Sequence, residues 1–350
     1  MDLMEHQARA LFEAAGLPVP AGFTVSSVEE LAGKTVPFPA VIKAQVPVGG
    51  RGKLGGIRFA RNRAELEEAT GAILGMDIKG HRVREVLITQ RVEAVREMYL
   101  SILLDRGAKR HVVIFSPLGG VDIEQTAREH PEVIHRTELD PLLGLSQPVS
   151  TYLAGKAGLD AAQRGQLHAL LTRLYGLCRS HDCLLAEINP LAVTAQGSLV
   201  ALDAKVTIDD SALARLPDMA KIRDEQPVPE LVRRAREHRF LYIPCDETGD
   251  VVVMSNGSGM LMSCIDHITR RGRRVSAVLD LGGGATADRI ARAVEILAAT
   301  AGARVLFINI FGGITRCDEV AAGIRSAVEA RAAVMPMVIR LEGTNKEAGL

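Results

Sequence analysis

The sequence has few aromatic side chains and no surplus of either charge. There is no tryptophan, and aromatic residues make up 3% of the 350. A core must therefore come from Ala, Val, Leu and Ile, which with 33 glycines is typical of an α/β protein of two or three domains. Lys plus Arg equals Asp plus Glu at 42 each, so no net field favours nucleic acid or an anionic membrane. The five cysteines (Cys178, Cys183, Cys245, Cys264, Cys317) are odd in number and include no C-x-x-C pair. That indicates neither a zinc site nor a disulfide framework, and a reduced compartment fits. No apolar run reaches membrane-spanning length. The opening M-D-L-M-E-H-Q-A-R-A-L-F reads as an acid-bearing amphipathic helix rather than a signal peptide. The expectation is a cytoplasmic protein.

The most informative stretch covers residues 184–205, L-L-A-E-I-N-P-L-A-V-T-A-Q-G-S-L-V-A-L-D-A-K. It reads as two apolar strands joined at Gln196-Gly197. Antiparallel pairing about that bend sets Asn189 close to opposite Asp203. A carboxamide and a carboxylate are oxygen ligands that suit Mg²⁺, which takes its remaining ligands from water and phosphate. Glu187, two residues before Asn189, shares its face of the strand. On this stretch alone, an amphipathic hairpin with solvated acids stands level with the metal reading.

A second chemical stretch is the apolar strand over 40–46, which carries Lys43 in its middle. It is followed by P-V-G-G-R-G-K-L-G-G and a returning strand. A lysine in an apolar strand needs a partner or an anionic ligand. A glycine hairpin bearing Arg51 and Lys53 offers backbone N–H groups and cations together, as a triphosphate requires. It is not a Walker A loop, since no G-K-[ST] opens a helix, and a flexible hairpin with solvated charges is the plain alternative. Around these stretches, helices are expected over 2–15, from Ser26-Ser27 onward with Glu29 and Glu30 in the first turn, over 64–74, and through 148–180. A strand over 86–92, a linker 93–97 and a strand 98–104 could hold a base, with Glu97 free for a ribose.

From about residue 225 the pattern becomes a charged helix followed by four strand–loop units. Strands over 251–254, 276–281 and 305–310 end in S-N-G-S-G, G-G-G-A-T and F-G-G-I-T, with helices from Met260, Ala287 and Cys317, and a last strand spans 334–341. This implies a doubly wound parallel sheet. Glycine at three strand ends puts close-approach backbone on the carboxyl edge, where such sheets bind ligands.

The blocks V-I-K-A-Q-V-P-V-G-G-R-G-K, G-G-V-D-I-E, A-E-I-N-P-L, L-D-L-G-G-G-A-T and N-I-F-G-G-I-T-R-C-D occur in one order along nearly the whole chain. In this the chain resembles the β subunits of ADP-forming succinate–CoA ligase. The resemblance implies an ATP-grasp fold over residues 1–230. It implies a flavodoxin-like CoA-ligase domain over 231–350, shorter at its end than the family's usual one.

The activity implied is interconversion of succinate, CoA and ATP with succinyl-CoA, ADP and phosphate, as in the tricarboxylic acid cycle. It proceeds through a phosphohistidine on a partner α subunit that also binds CoA. By the same resemblance, Lys43, Gly50, Arg51, Gly52, Gln90, Val92 and Glu97 hold ATP. Asn189 and Asp203 hold one Mg²⁺, and Glu187 orients the incoming histidine. Asn256, Gly313, Ile314 and Thr315 form the substrate loop. None of the nine histidines matches the phosphorylated one, so this chain alone is not expected to complete the reaction. Pro47-Val48 stands where the family usually has His-Ala, and Thr89 where many members have glutamate. A malate–CoA ligase β subunit and a non-catalytic regulatory paralogue are the alternatives.

Overall fold

The structure, a computed structural model, describes residues 1–226, 228–330 and 335–350. The chain divides into two compact units, Met1–Asp224 and Glu225–Leu350. Among the described residues, no helix is long and apolar enough to cross a membrane.

The first unit opens with helix α1 (Glu5–Ala14), shorter than the expected span of 2–15. Its buried residues are Glu5, Ala8 and Phe12, one stripe at helical spacing. Strands β1 (Gly22–Val25), β2 (Ala40–Ala44) and β3 (Ile57–Ala60) follow. After helix α2 (Arg63–Ile73) and the short hairpin of β4 (Asp77–Ile78) and β5 (His81–Arg82) comes β6 (Val86–Gln90). These build an antiparallel sheet in the order β1-β6-β2-β3. The helix expected after Ser27 is only the single 3-10 turn Glu29–Leu31. Gly33 at φ 74° follows two residues later, and Pro37 and Pro39 prevent its continuation.

The second sheet begins with β7 (Ala94–Asp105), β8 (Arg110–Ser116), helix α3 (Ile123–Glu129) and β9 (His135–Glu138). Helices α4 (Gln147–Lys156) and α5 (Ala161–Ser180) lead to β10 (Cys183–Thr194), β11 (Leu199–Ala201) and β12 (Lys205–Ile208). The order is β11-β10-β7-β8-β9, with β12 also paired to β10. The linker between the two sheets is shorter than expected. Only residues 91–93 lie outside strands, so Glu97 belongs to β7. One core joins α1, α5 and the large sheet through Phe12, Leu100, Phe115, Leu171, Leu174, Ile188 and Val206. A separate core under the small sheet holds Ile42, Leu66, Ile73 and Ile88. Helix α6 (Pro217–Glu225) ends this part of the chain.

In the second unit, α7 (Glu230–Glu237) and β13 (Leu241–Pro244) precede β14 (Val251–Ser255), α8 (Ser258–Thr269) and β15 (Val275–Asp280). Then come α9 (Ala287–Ala298), β16 (Val305–Gly312), α10 (Cys317–Glu329), β17 (Met337–Gly343) and α11 (Lys346–Gly349). The sheet order is β13-β15-β14-β16-β17, parallel except for β13, an antiparallel edge that the glycine pattern does not announce. The expected start of the last strand, Val334, lies outside the described residues. Successive strand residues face opposite sides. Val252 and Met254 enter the core with α9 and α10, while Val253 packs with Leu261 and Cys264 of α8. Because β15 and β16 flank β14 on opposite sides, the connection reverses at the end of β14, the position where open α/β sheets leave a ligand crevice.

Candidate functional site

Strand β10 pairs with β11 through Leu191↔Ala201 and with β12 through Glu187↔Lys205. That common register sets Asn189 opposite Asp203, as the hairpin reading expects. Against β7 the register of β10 shifts between Ile188 and Leu191, a bulge that aims side chains away from the regular ladder. Asn189 Oδ1 accepts the Gly120 N–H at 2.8 Å, and Asn189 Nδ2 donates to Val121 O at 3.0 Å. The loop holding it is close-packed, since a Cβ on Gly119 would lie 2.2 Å from Met98 O. Glu187 Oε2 accepts from the Tyr99 hydroxyl at 3.1 Å. Burial pushes the Glu187 carboxyl above its ordinary value, against the pull of Lys205 and the Tyr99 bond, and Glu124 adds to the rise. Burial and then Glu187 push the Tyr99 hydroxyl up as well, keeping it a donor.

Lys43 has the partner its apolar strand requires. Its ammonium donates to Glu5 Oε1 at 2.6 Å and to Leu202 O at 2.7 Å. Arg51 opens a 3-10 turn, Arg51–Leu54, between Gly50 at φ 78° and Gly55 at φ 75°. Only glycine adopts those angles without strain, so both glycines shape the loop. Arg51 Nη1 lies 2.8 Å from Glu5 Oε2 and donates to Ala44 O at 3.0 Å. Its Nη2 reaches Asp203 Oδ1 at 3.2 Å and Oδ2 at 3.1 Å. Two acids and two bases thus share one cluster, nearly dry except at the half-buried Asp203. Burial opposes ionisation of Glu5, but Lys43 and then Arg51 hold its carboxyl below the ordinary value. Burial pushes the Asp203 carboxyl up to about 6, with Glu5 adding to it and Lys43 and Arg51 opposing.

The remaining nucleotide candidates are placed less closely. Gly50 and Gly52 flank Arg51 in sequence, while Gln90 ends β6 opposite Ala40. Val92 is half-buried in the linker. Glu97 is exposed on β7, and its carbonyl accepts the Gly119 N–H at 3.0 Å. Its carboxylate lies where a Cβ on Gly120 would meet it at 2.2 Å, so the candidate ribose acid packs on the loop that holds Asn189.

In the second unit, the strand ends gather at the switch point. Asn256 Nδ2 donates to Phe311 O at 2.9 Å, and its Oδ1 accepts the Phe311 N–H at 3.1 Å. Thr315, buried, accepts the Gly284 N–H at 3.0 Å and donates to Gly282 O at 3.4 Å. This ties the loops after β15 and β16 together. Ile314 is 84% exposed beside Gly284, and a Cβ added at Gly313 meets nothing within 4 Å. The first N–H of α9, at Ala287, donates to Glu319 at 2.8 Å and so is already satisfied within the unit.

The donor set of the hairpin suits a sparsely held hard cation. Asn189 Oδ1 accepts one bond and keeps a second lone pair, and the Asp203 carboxylate accepts from Arg51 and the Ala204 N–H with capacity left. Among the described residues, no three His, Cys, Asp or Glu side chains converge as metal ligands. Water and phosphate would therefore supply most of the shell, the habit of Mg²⁺.

Two family models match the chain, an ATP-grasp domain over residues 2–193 and a CoA-ligase over 254–350. The β subunit of ADP-forming succinate–CoA ligase from Rubrobacter xylanophilus is 43% identical over 352 residues, covering 100% of this chain and 91% of its own. The chain belongs to the succinate–CoA ligase β-subunit family. A GDP-forming succinate–CoA ligase β subunit from Thermus thermophilus is 41% identical, covering 99% of this chain and 92% of its own. Among solved structures, ATP citrate lyase from Methanothrix soehngenii in complex with citrate and coenzyme A matches with a TM-score of 0.76 at 19% identity. It covers 99% of this chain and 91% of that one, a likeness of fold.

For a succinate–CoA ligase β subunit, the expected architecture is present: an ATP-grasp unit and a CoA-ligase unit with a parallel sheet. Two residues of the candidate site are absent from the sequence reading. Tyr99 looks like one more apolar residue of a strand, with no local mark of its hydroxyl's partner 88 positions away. Glu5 does carry a signal. It stands on the same helical stripe as Ala8 and Phe12, where an acid needs a cation.

Proposed function

We propose that the chain is the nucleotide-activating subunit of an ADP-forming succinate–CoA ligase, working in the cytoplasm with an α subunit that carries the phosphorylated histidine and binds CoA. The observation that carries this reading is the meeting of glycine loop and hairpin, Arg51 to Asp203 at 3.1 Å. It brings the Arg51 guanidinium, with Lys43 close by on the same Glu5 carboxylate, beside oxygen donors suited to a hard cation. Lys43, Arg51 and the N–H groups around Gly50 and Gly52 would bind the phosphates, with Gln90, Val92 and Glu97 on the base and ribose side. Asn189 and Asp203 would hold Mg²⁺, which would supply positive charge to offset the charge developing on the phosphates.

Glu187, held by Tyr99, would accept a hydrogen bond from one ring nitrogen of the partner's imidazole, orienting the ring and leaving the other nitrogen the better nucleophile. Asn256, Gly313, Ile314 and Thr315 would form the wall that receives succinate. The test is co-expression with a family α subunit and ATP. Phosphohistidine on the α chain that requires this chain and Mg²⁺ is the expected result. A stable complex without phosphorylation would overturn the proposal.

A further inference from the structure

We infer that Glu5 is a positioning residue for nucleotide binding, fixing Lys43 and Arg51 in the geometry in which they meet phosphate. The inference rests on the nucleotide-binding reading above. Glu5 is rooted in α1, whose Ala8 and Phe12 belong to the large-sheet core, whereas Lys43 stands on β2 of the small sheet and Arg51 in the loop beyond it. Its carboxylate therefore joins the small sheet and its glycine loop to the large sheet that carries Asn189 and Asp203. The side chains are nearly dry, at 4% exposure for Glu5, 9% for Lys43 and 10% for Arg51.

Charges so little exposed persist only when balanced, and Glu5 with the half-buried Asp203, 27% exposed, sets two acids against the two bases. The division of labour is also specific. Oε1 takes the Lys43 ammonium at 2.6 Å. Oε2 faces Arg51 at 2.8 Å without a directed hydrogen bond among the described residues. Arg51 spends its own donors on Ala44 O and Asp203. Glu5 thus sets Lys43 by a bond and Arg51 by field. Glutamine has one acceptor oxygen and no charge, so it can serve neither role fully. Two cations would then face Asp203 alone and leave their places.

The test compares the full-length wild-type protein with Glu5→Gln and Glu5→Asp, each checked by thermal unfolding. The first readout needs no nucleotide: acylation of lysines, located by mass spectrometry. Lys43 should be protected in the wild type and react about tenfold faster in Glu5→Gln, because a buried amine reacts only when it is released. The second readout is calorimetric titration with ATP, with and without Mg²⁺. Affinity should fall about tenfold in both conditions, the loss of one charge-assisted contact, while turnover of the complex at saturating ATP changes less.

In a Lys43→Met background, the Glu5→Gln loss should shrink, since Glu5 acts through the lysine. Unchanged Lys43 reactivity would overturn the inference, as would unchanged or tighter ATP binding, the latter marking Glu5 as a competitor of phosphate. If Glu5→Gln does not fold, Glu5→Asp keeps the charge and withdraws the carboxylate, and the same two readouts decide. Failure of the wild type to bind ATP would count against the proposed function, while the acylation result would still decide whether Glu5 holds Lys43 in place.

Discussion

Arg51 Nη2 stands 3.2 and 3.1 Å from the two carboxylate oxygens of Asp203, a residue 152 positions further along the chain. This contact fixes how the glycine loop of the small sheet meets the hairpin of the large one. It depends on a planar fork that reaches Asp203, Glu5 and Ala44 O at once.

A lysine at this position has one ammonium and cannot bond Ala44 O and both oxygens of Asp203 while standing beside Glu5. Arg51→Lys is therefore expected to fold and to weaken ATP binding about tenfold or more, the equivalent of one or two charge-assisted hydrogen bonds. Calorimetric titration of the purified chain measures it. Affinity within twofold of the wild type would mean that Arg51 meets no phosphate.

The hairpin was legible because its information is local. Alternation, a Gln-Gly bend and three polar residues define the register, and the register places Asn189 against Asp203. The parallel sheet was legible for a similar reason, since glycine follows each of three strands. What escaped depends on long-range contact. Glu5, in the first turn of a helix, resembles any acid that complements a helix dipole until Lys43 appears beside it. Lys43 posed the question of its partner, but nothing near it in sequence answers it. Strand β13 is four residues long, with Leu241 and Ile243 exposed, and only its pairing with β15 makes it a strand.

Tyr99 supplies a second test of the site. Its hydroxyl is Glu187's hydrogen-bond donor at 3.1 Å, and Tyr99 itself is buried on β7, so phenylalanine fits the same space. Tyr99→Phe should fold and cost about 1 to 3 kcal/mol, because the bond lost is to a carboxylate. Phosphorylation of the α-subunit histidine should slow about three- to tenfold as Glu187 loses its fixed orientation. Rapid-quench phosphorylation assays read this directly, and a wild-type rate would show that Glu187 needs no such support.

The loop that holds Asn189 should tolerate no side chain at Gly119. A Cβ there meets Met98 O at 2.2 Å and Met98 N at 2.6 Å, backbone atoms that cannot swing aside. Gly119→Ala is expected to cost about 2 kcal/mol or more, the usual result of forcing backbone apart. Gly257→Ala is the matched control. Its φ of 175° is ordinary extended backbone and a Cβ meets nothing within 4 Å, so its unfolding midpoint should stay near that of the wild type. Urea denaturation of the two variants separates them. Equal midpoints would mean that the loop yields.

His111 gives the first unit a pH dependence whose sign follows from its surroundings. The imidazole stands edge-on to Tyr175 with ring centroids 5.5 Å apart. Burial pushes its pKa below the ordinary 6.5, the backbone of Cys183 opposes this, and the Arg179 cation lowers it further. A histidine with a depressed folded pKa binds its proton more readily when unfolded. Its neutral form therefore favours the fold fully above pH 6.5, and the contribution is lost as pH falls through the folded value. His111→Phe keeps a ring against Tyr175 and removes the titration. Urea midpoints at pH 7.5 and pH 5.5 should therefore fall further for the wild type than for the variant. Because the imidazole is only half-buried, the difference should be modest. Parallel decline of the two proteins would mean that His111 is solvated enough to titrate alike in both states, and the acid sensitivity of the first unit would then lie with its carboxylates.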